Sequence, residues 1–310
     1  MFAKFWEGLT EGLGDRWAAQ ELGPALAFWL GGLLAWVWHR YYLNSWRKIV
    51  DWVTGIDNTA ACIALAVGGL LVLAVSSVMV KWLQLPMLRL MEGYWPWPLR
   101  GPRFWLARLW EKHAQRKDDE WQKLAKIEPE KRTAEQQAEY ARLDAKLARY
   151  PVDTRRLMPT PLGNLLRAAE EYPYVRYRLA MSVCWPRLWL VLPEGTQSTL
   201  VETRQKLNGA TRLFLWGLAF FVWTVWAWWA VLVALAVIIA AYWAMLQTAG
   251  VYGDLLCAAF DLHRFALYKE LHWPLPLTPA DEEKHGQQLS EYLFRGTGGN
   301  HIQFAHPGKK

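Results

Sequence analysis

The chain has 310 residues, a formal net charge of +7 and 22 tryptophans. Its apolar residues are concentrated in a few uncharged blocks, which favours a membrane protein over a soluble one, and abundant tryptophan is typical of membrane interfaces. The basic residues alternate with acids or flank the apolar blocks, so the positive charge does not indicate nucleic acid as a partner.

The N-terminal residues 1–20 begin with "MFAKFWEGLTEGLGDRW", whose apolar side chains recur at helical spacing. This pattern predicts an amphipathic helix that lies in the membrane interface or, equally well, packs on its own protein. Two uncharged blocks, about 22–38 and about 60–80, each have the length of one membrane span. The stretch "NSWRKIVDWV" between them predicts a second helix that is interfacial or, equally well, packed on its own protein. Residues 21–80 would then form a first transmembrane hairpin.

Small and hydroxyl residues mark these two spans. Each span contains a glycine pair with an alanine four positions before its first member, a spacing that lets helices approach closely within one chain or between copies. We therefore predict helix packing at Gly31, Gly32, Gly68 and Gly69. The adjacent pair Ser76 and Ser77 is the candidate lining of a pore.

Residues 81–209 predict a helical cytoplasmic domain. The proline-broken stretch "YWPWPLRGPRFW" predicts an irregular aromatic elbow at the lipid headgroups. The range of about 103–150 predicts a charged helical hairpin, whose exposed side chains face solvent or, as the less favoured reading, a partner. Thr133 and Gln136 have the spacing of a capping box for the second helix of that hairpin.

The rest of this domain contains three further signals. Thr160 followed by Pro161 predicts the start of a helix. The stretch "CWPRLWLVLPE" is apolar but too short to span a bilayer, so it should fill the core of the domain. Asn208 and Gly209 are expected to break the helix before the next span.

The apolar block of about 213–246 is too long for one span, because about 34 helical residues measure about 50 Å against a hydrocarbon core of about 30 Å. We predict a second transmembrane hairpin at 210–247, with spans of about 211–225 and 227–246. A single protruding or tilted helix is the alternative, since no turn residue marks a reversal. An interface belt is predicted at Trp223, Trp226, Trp228 and Trp229.

Residues 248–295 predict cytoplasmic amphipathic helices, the first of which continues from the fourth span until Pro274. Thr278 and Pro279 predict the start of the last helix. The Gly-rich and then basic residues 296–310 predict a tail that orders only against a neighbour.

The predicted fold class is an all-α integral membrane protein with four transmembrane helices in two pairs. A helical cytoplasmic domain is inserted between spans 2 and 3, and a helical segment follows span 4. Basic residues near the span ends place both termini in the cytoplasm, with the protein in the inner membrane. The basic residues of the first connection oppose this orientation.

The sequence has no nucleotide-binding, hydrolase or metalloprotease motif, and its three cysteines lack metal-ligand spacing. The most concentrated titratable group is Asp261, His263 and Arg264, for which a structural role, such as an ion pair along one helix, is favoured over a catalytic one. The spans lack ionisable residues at depth, which argues against a proton relay or a carrier of charged substrates. We predict no enzyme activity and no cofactor.

The strings "TPLGNLLRAAEEYPYVRY", "WPRLW" and "AAFDLHRF" resemble a group of uncharacterised bacterial multi-pass membrane proteins, over about the second half of the chain. The resemblance implies four spans with a late pair and no particular activity. The order of spans and helical segments is also similar to that of bestrophin-type anion channels, as an analogy of topology only.

Two functional hypotheses follow. In the first, the protein is a homo-oligomer in the lipid bilayer whose second spans surround a narrow, apolar, channel-like conduit. In the second, it is a non-conducting scaffold that docks a protein partner through its cytoplasmic helices. A membrane-bound enzyme acting on lipid is the least favoured hypothesis.

Overall fold

The computed structural model describes residues 15–39, 59–297 and 302–305, and within these ranges the protein contains helices and no β-strand. The amphipathic helix expected between the first two spans lies outside the described residues, as does most of the one expected at 1–20. The α-helices are α1 Asp15–His39, α2 Thr59–Glu92, α3 Arg100–Ala125, α4 Ala134–Leu147, α5 Pro161–Tyr177, α6 Met181–Val191, α7 Glu194–Phe220, α8 Trp229–Glu270 and α9 Pro279–Arg295.

The predicted helix starts are confirmed by their caps. The Thr133 hydroxyl accepts the backbone N–H of Gln136 at 3.2 Å, and the Gln136 side chain accepts the backbone N–H of Thr133 at 3.0 Å. This is the capping box expected before α4. Thr160 and Thr278 cap α5 and α9, each followed by a proline at the first helical position. The caps satisfy N–H groups that have no acceptor within the helix.

Three helices are long and apolar enough to cross a membrane: α1 over Leu22–His39, α2 over Ile63–Glu92, and α8 over Trp229–Glu270. These helices support the membrane class predicted from the sequence. The second one continues about twelve residues beyond the predicted end of its span. Helix α7, which contains the first ten residues of the predicted third span, does not meet the same criteria.

The break predicted at Asn208 and Gly209 is wrong, because α7 is continuous from Glu194 to Phe220. The Thr211 hydroxyl donates to the carbonyl of Leu207 at 3.0 Å, which is one helical turn earlier in the chain. A single glycine inside a helix costs only about 1 kcal/mol relative to alanine, so its neighbours decide whether the helix continues.

The late apolar block is a helical hairpin. Helix α7 ends at Phe220, a 3₁₀ segment covers Phe221–Val225, and α8 begins at Trp229. A Cβ on Gly217 would lie 2.9 Å from the side chain of Ile238, so residues on either side of the turn pack against each other. The alternative of one long, straight helix is therefore wrong, even though no glycine or proline marks the turn.

The chain divides into two compact units, and the boundaries fall inside α2, α7 and α8. The first unit comprises Met1–Leu88 and Leu207–Met245, and the second comprises Arg89–Lys206 and Leu246–Lys310. The core of the second unit joins α5, α6 and α9 to the beginning of α7 and the end of α8. Its buried residues include Leu179, Cys184, Leu188, Leu192, Leu200, Phe260, Leu267, Tyr268, Trp273 and Leu289.

Two further expectations concern this core. Cys184, Leu188 and Leu192 are buried in it, which confirms that "CWPRLWLVLPE" is a core segment. The described part of the C-terminal tail packs on the chain itself. Ile302 contacts the same core, and the Phe304 ring lies 6.4 Å from that of Trp273. These contacts lie within the second unit, and the expected dependence of the tail on a neighbour stays a prediction.

Candidate functional site

The first candidate site is the contact between the glycine pair of α1 and the aromatic residues that end α7. A Cβ on Gly31 would collide with the Phe220 ring, and one on Gly32 would collide with the Trp223 indole. The two glycines thus let bulky rings lie directly on the helix backbone. Phe28 extends this cluster, with its ring centroid 5.0 Å from that of Trp223. These aromatic residues pack α1 against the helical hairpin formed by α7 and α8.

The tryptophans of the predicted interface belt lie in different surroundings. Trp223 is buried beneath α1, whereas Trp228 at the turn is 69% exposed. Trp226 stacks on Trp223 at 5.3 Å and keeps part of its surface exposed. Trp229 packs against the same cluster from the first turn of α8. Trp226 and Trp228 are therefore the residues whose rings can contact an interface, while Trp223 acts as a packing residue.

The second apolar helix differs sharply from the first. A Cβ on Gly68 or Gly69 would meet no atom within 4 Å among the described residues, so packing at this glycine pair stays a prediction. Ser76 bonds within the unit, donating to the Val72 carbonyl at 2.7 Å and accepting the Trp29 indole N–H at 3.3 Å. The role of Ser76 and Ser77 in lining a pore likewise stays a prediction.

The second candidate site is a polar cluster around Asp261 in the second unit. The Tyr177 hydroxyl donates to one carboxylate oxygen of Asp261 at 2.6 Å, and the Tyr172 hydroxyl donates to the other at 3.1 Å. Burial, followed by the bond to Asp261, raises the pKa of Tyr177 above its usual range. Both hydroxyls therefore remain protonated donors at neutral pH.

Arg264 completes this cluster by bonding away from the Asp261 carboxylate. Its guanidinium Nε lies 2.5 Å from a carboxylate oxygen of Glu282, and its guanidinium carbon Cζ lies 4.4 Å from the centre of the Tyr177 ring. A second guanidinium nitrogen donates to the backbone carbonyl of Asp261. The ion pair expected between Asp261 and Arg264 along one helix is thus replaced by a pair that joins α8 to α9. His263 is half-buried on α8.

The contacts of this cluster join three helices. Each charged group faces a partner that satisfies it, and the tyrosine donors and Arg264 tie α5, α8 and α9 together. Within the described residues, no group of three or more His, Cys, Asp or Glu could hold a metal ion. Sequence reasoning missed Tyr172, Tyr177 and Glu282. The apolar spacing on α5 places Tyr172 and Tyr177 near the buried side of that helix. This spacing is the only sequence signal that could have indicated these two residues.

A polar cavity of about 510 Å³ lies beside this cluster, between the end of α5, the start of α6 and α9. Its wall contains Tyr174, Arg178, Glu291 and Arg295. Arg178 ends α5 in the left-handed conformation, with φ of 57°, and its guanidinium lies 3.6 Å from a carboxylate oxygen of Glu283. The cavity therefore presents charges of both signs.

Comparison of the chain with protein-family models, curated proteins and solved structures finds no match.

Burial of Cys184 predicts a measurable dependence of stability on alkaline pH. Desolvation raises the pKa of the Cys184 thiol from 9.0 to about 11. Because the folded pKa lies above the unfolded one, unfolding releases a proton between pH 9 and 11. The stabilisation is complete below about pH 9 and is lost as the pH rises through this window, by about 3 kcal/mol in all.

The measurement is the thermal unfolding midpoint of the detergent-solubilised protein from pH 7.5 to 10.5, compared with that of Cys184→Ala. The wild-type midpoint should fall more steeply than that of the variant above pH 9. Parallel curves would contradict the assignment.

Proposed function

We propose that this protein is an integral inner-membrane protein with four spans in two pairs and with both termini in the cytoplasm. The third span is the apolar end of α7, from about residue 211, together with the 3₁₀ segment that follows. The main support is the antiparallel packing of Gly217 against Ile238. Because the end of α7 packs beside α8, which is long enough to span a membrane, we expect both arms of the hairpin to lie in the bilayer. The basic residues near the span ends support the orientation.

We further propose that copies of the chain assemble around a channel-like, apolar conduit formed by α2. The observation that carries this proposal is the exposure of α2. Only 6% of its apolar stretch is buried. Gly68, Val75 and Met79 lie on one exposed side of this helix, at helical spacing. Glycine on such a side permits the close approach of a second helix. A side that faced only lipid would not require glycine.

The expected behaviour of the conduit follows from its lining. The sequence of α2 has no acidic or basic residue from Thr59 to Val80. A narrow pore with such walls excludes water until it widens, so conduction should be gated by wetting. The hydroxyl of Ser77 is the proposed polar group along this path.

Assembly is tested by native mass spectrometry and by mass photometry in lipid nanodiscs. Wild-type protein should show one subunit number above two, and Gly68→Leu should lower it because the leucine keeps the helices apart. Gly195→Ala is the matched control, since a Cβ there meets no atom within 4 Å. A monomeric wild type, or a Gly68→Leu variant with unchanged mass, contradicts the proposed assembly.

Conduction is tested by single-channel recording in planar bilayers. Ser77→Asp should shift the reversal potential towards cation selectivity, because a carboxylate in a narrow path attracts cations. Silent membranes at all voltages and salts would exclude the conduit while leaving the assembly standing.

The scaffold is the second candidate function, and the polar cavity beside α9 favours it. A partner side chain or terminus would meet Arg178 and Glu291 there. Under this hypothesis, purification from native membranes yields a companion at fixed stoichiometry. Gln287→Trp, which fills the cavity, should remove the companion, whereas Gln115→Trp on exposed α3 should retain it.

A further inference from the structure

The beginning of α3 has an exposed aromatic surface with basic residues on the same side. Phe104 and Trp105 are both 64% exposed, and Trp97, in the 3₁₀ segment just before α3, is 77% exposed. Large aromatic rings at this exposure are uncommon on a soluble surface and indicate a covering partner. We call this surface the basic aromatic face, which comprises Trp97, Phe104, Trp105, Arg108, Leu109 and Lys112.

Two basic side chains, Arg108 and Lys112, belong to this face. Arg108 and Lys112 are exposed and follow Trp105 at spacings of three and seven residues, so they lie on the same side of the helix. Among the described residues, neither forms an ion pair, whereas Arg142, on the other helix of the hairpin, pairs with Glu139. Two free cations beside exposed rings complement an anionic, partly apolar surface.

The opposite side of α3 already packs within the second unit. The Trp110 indole N–H, five residues after Trp105 and therefore across the helix, donates to the Pro159 carbonyl at 3.0 Å. This bond leaves the basic aromatic face as the free side of the helix.

Chain length places this face near the membrane surface. The membrane-length part of α2, Ile63–Glu92, has 30 residues, or about 45 Å at the helical rise, which matches the thickness of a bilayer with its headgroups. Its three charged residues, Lys81, Arg89 and Glu92, all lie in the half that leads to α3. Helix α2 then ends in a sharp turn at Gly93, with φ of 100°, and the Trp95 indole bonds back to the Leu90 carbonyl at 2.9 Å. Trp97 follows Glu92 by five residues, which reach at most about 18 Å, so the basic aromatic face begins close to the end of α2.

We propose that the basic aromatic face binds the anionic headgroups of the cytoplasmic leaflet, with Phe104 and Trp105 inserted at the level of the headgroups. Amphipathic helices of this composition lie in the interface plane, and each basic residue there contributes to binding an anionic surface. The long stems of Arg108 and Lys112 cover apolar surface while their charged ends contact phosphate. This inference rests on the proposed membrane placement of α2.

The test titrates the detergent-solubilised full-length protein with phosphatidylglycerol or phosphatidylcholine and counts bound lipid by native mass spectrometry. The wild type should prefer phosphatidylglycerol. Arg108→Gln with Lys112→Gln should weaken binding of that lipid about tenfold or more, because two surface cations are lost. Arg116→Gln with Lys123→Gln, which removes the same charge further along α3, should retain the preference.

The aromatic contribution is measured with Phe104→Gln and Trp105→Gln together, which should weaken the binding of both lipids severalfold. Equal binding of the two lipids by the wild type would overturn the proposal and point to an acidic protein as the occupant. An equal loss in the control variant, or unchanged binding after removal of the rings, would overturn it as well. The subunit number in the same spectra reports separately on the proposed assembly.

Discussion

Replacing Arg264 by alanine should destabilise the second unit by about 3 to 5 kcal/mol, because it leaves the Glu282 carboxylate buried without a partner. Both side chains of this pair are largely buried, at 16% and 11% exposure. The change also removes the cation that lies over the Tyr177 ring. The expected result is a large fall in the thermal unfolding midpoint in detergent, with early tryptic cleavage at Lys269 in the last turn of α8 and at Lys284 in α9.

Two comparisons separate this effect from the mere loss of an arginine. Arg142→Ala breaks an exposed ion pair with Glu139 and should change the midpoint little, since such pairs contribute about 0 to 1 kcal/mol. The double variant Arg264→Met with Glu282→Leu should recover most of the stability, because no charge is then buried alone. If Arg264→Ala is as stable as Arg142→Ala, the buried pair does not hold α8 to α9.

Introducing a methyl group at Gly286 should have the second large effect. The Cβ of Gly286→Ala would collide with the backbone carbonyl of Tyr177, so α9 must move away from the end of α5. Backbone atoms cannot rotate aside as a side chain does, and overpacking of this kind costs about 3 kcal/mol. Such a movement also displaces Ser290, whose hydroxyl accepts the Ala180 N–H and donates to the Arg178 carbonyl.

The thermal midpoint of Gly286→Ala is best read beside that of Gly195→Ala. The control also adds a methyl group to a helical glycine, but at a position with open space around it. Because alanine favours the helix by about 1 kcal/mol over glycine, the control should be equal to or more stable than the wild type. Similar falls for both variants would contradict the close approach of α9 to Tyr177.

Local signals were the most predictable part of the fold. A threonine cap and a proline act on the first turn of their own helix, so the starts of α5 and α9 could be read from adjacent residues. The same locality explains the wrong break at Asn208 and Gly209. Neither residue forbids a helix, and α7 continues through both.

The candidate site was predictable only in part, because its partners are remote in sequence. Asp261 and Arg264 were singled out as a cluster on one helix, but their partners Tyr177 and Glu282 belong to α5 and α9. A pattern within one helix cannot show which carboxylate an arginine reaches. The glycine pairs illustrate the same limit: the Trp223 indole lies directly on Gly32, whereas a Cβ on Gly68 would meet no atom within 4 Å in the described part of the chain.

Composition and short-range pattern by themselves determined that this is an all-helical chain with membrane-length apolar helices, because span length and helix caps depend on neighbouring residues. The tertiary structure alone decided that the chain turns back after Phe220 and that Trp223 is buried beneath α1. It also decided the pairing of Arg264 with Glu282. These features depend on which distant surfaces meet, and steric fit between packed side chains settles that only when the whole chain is folded.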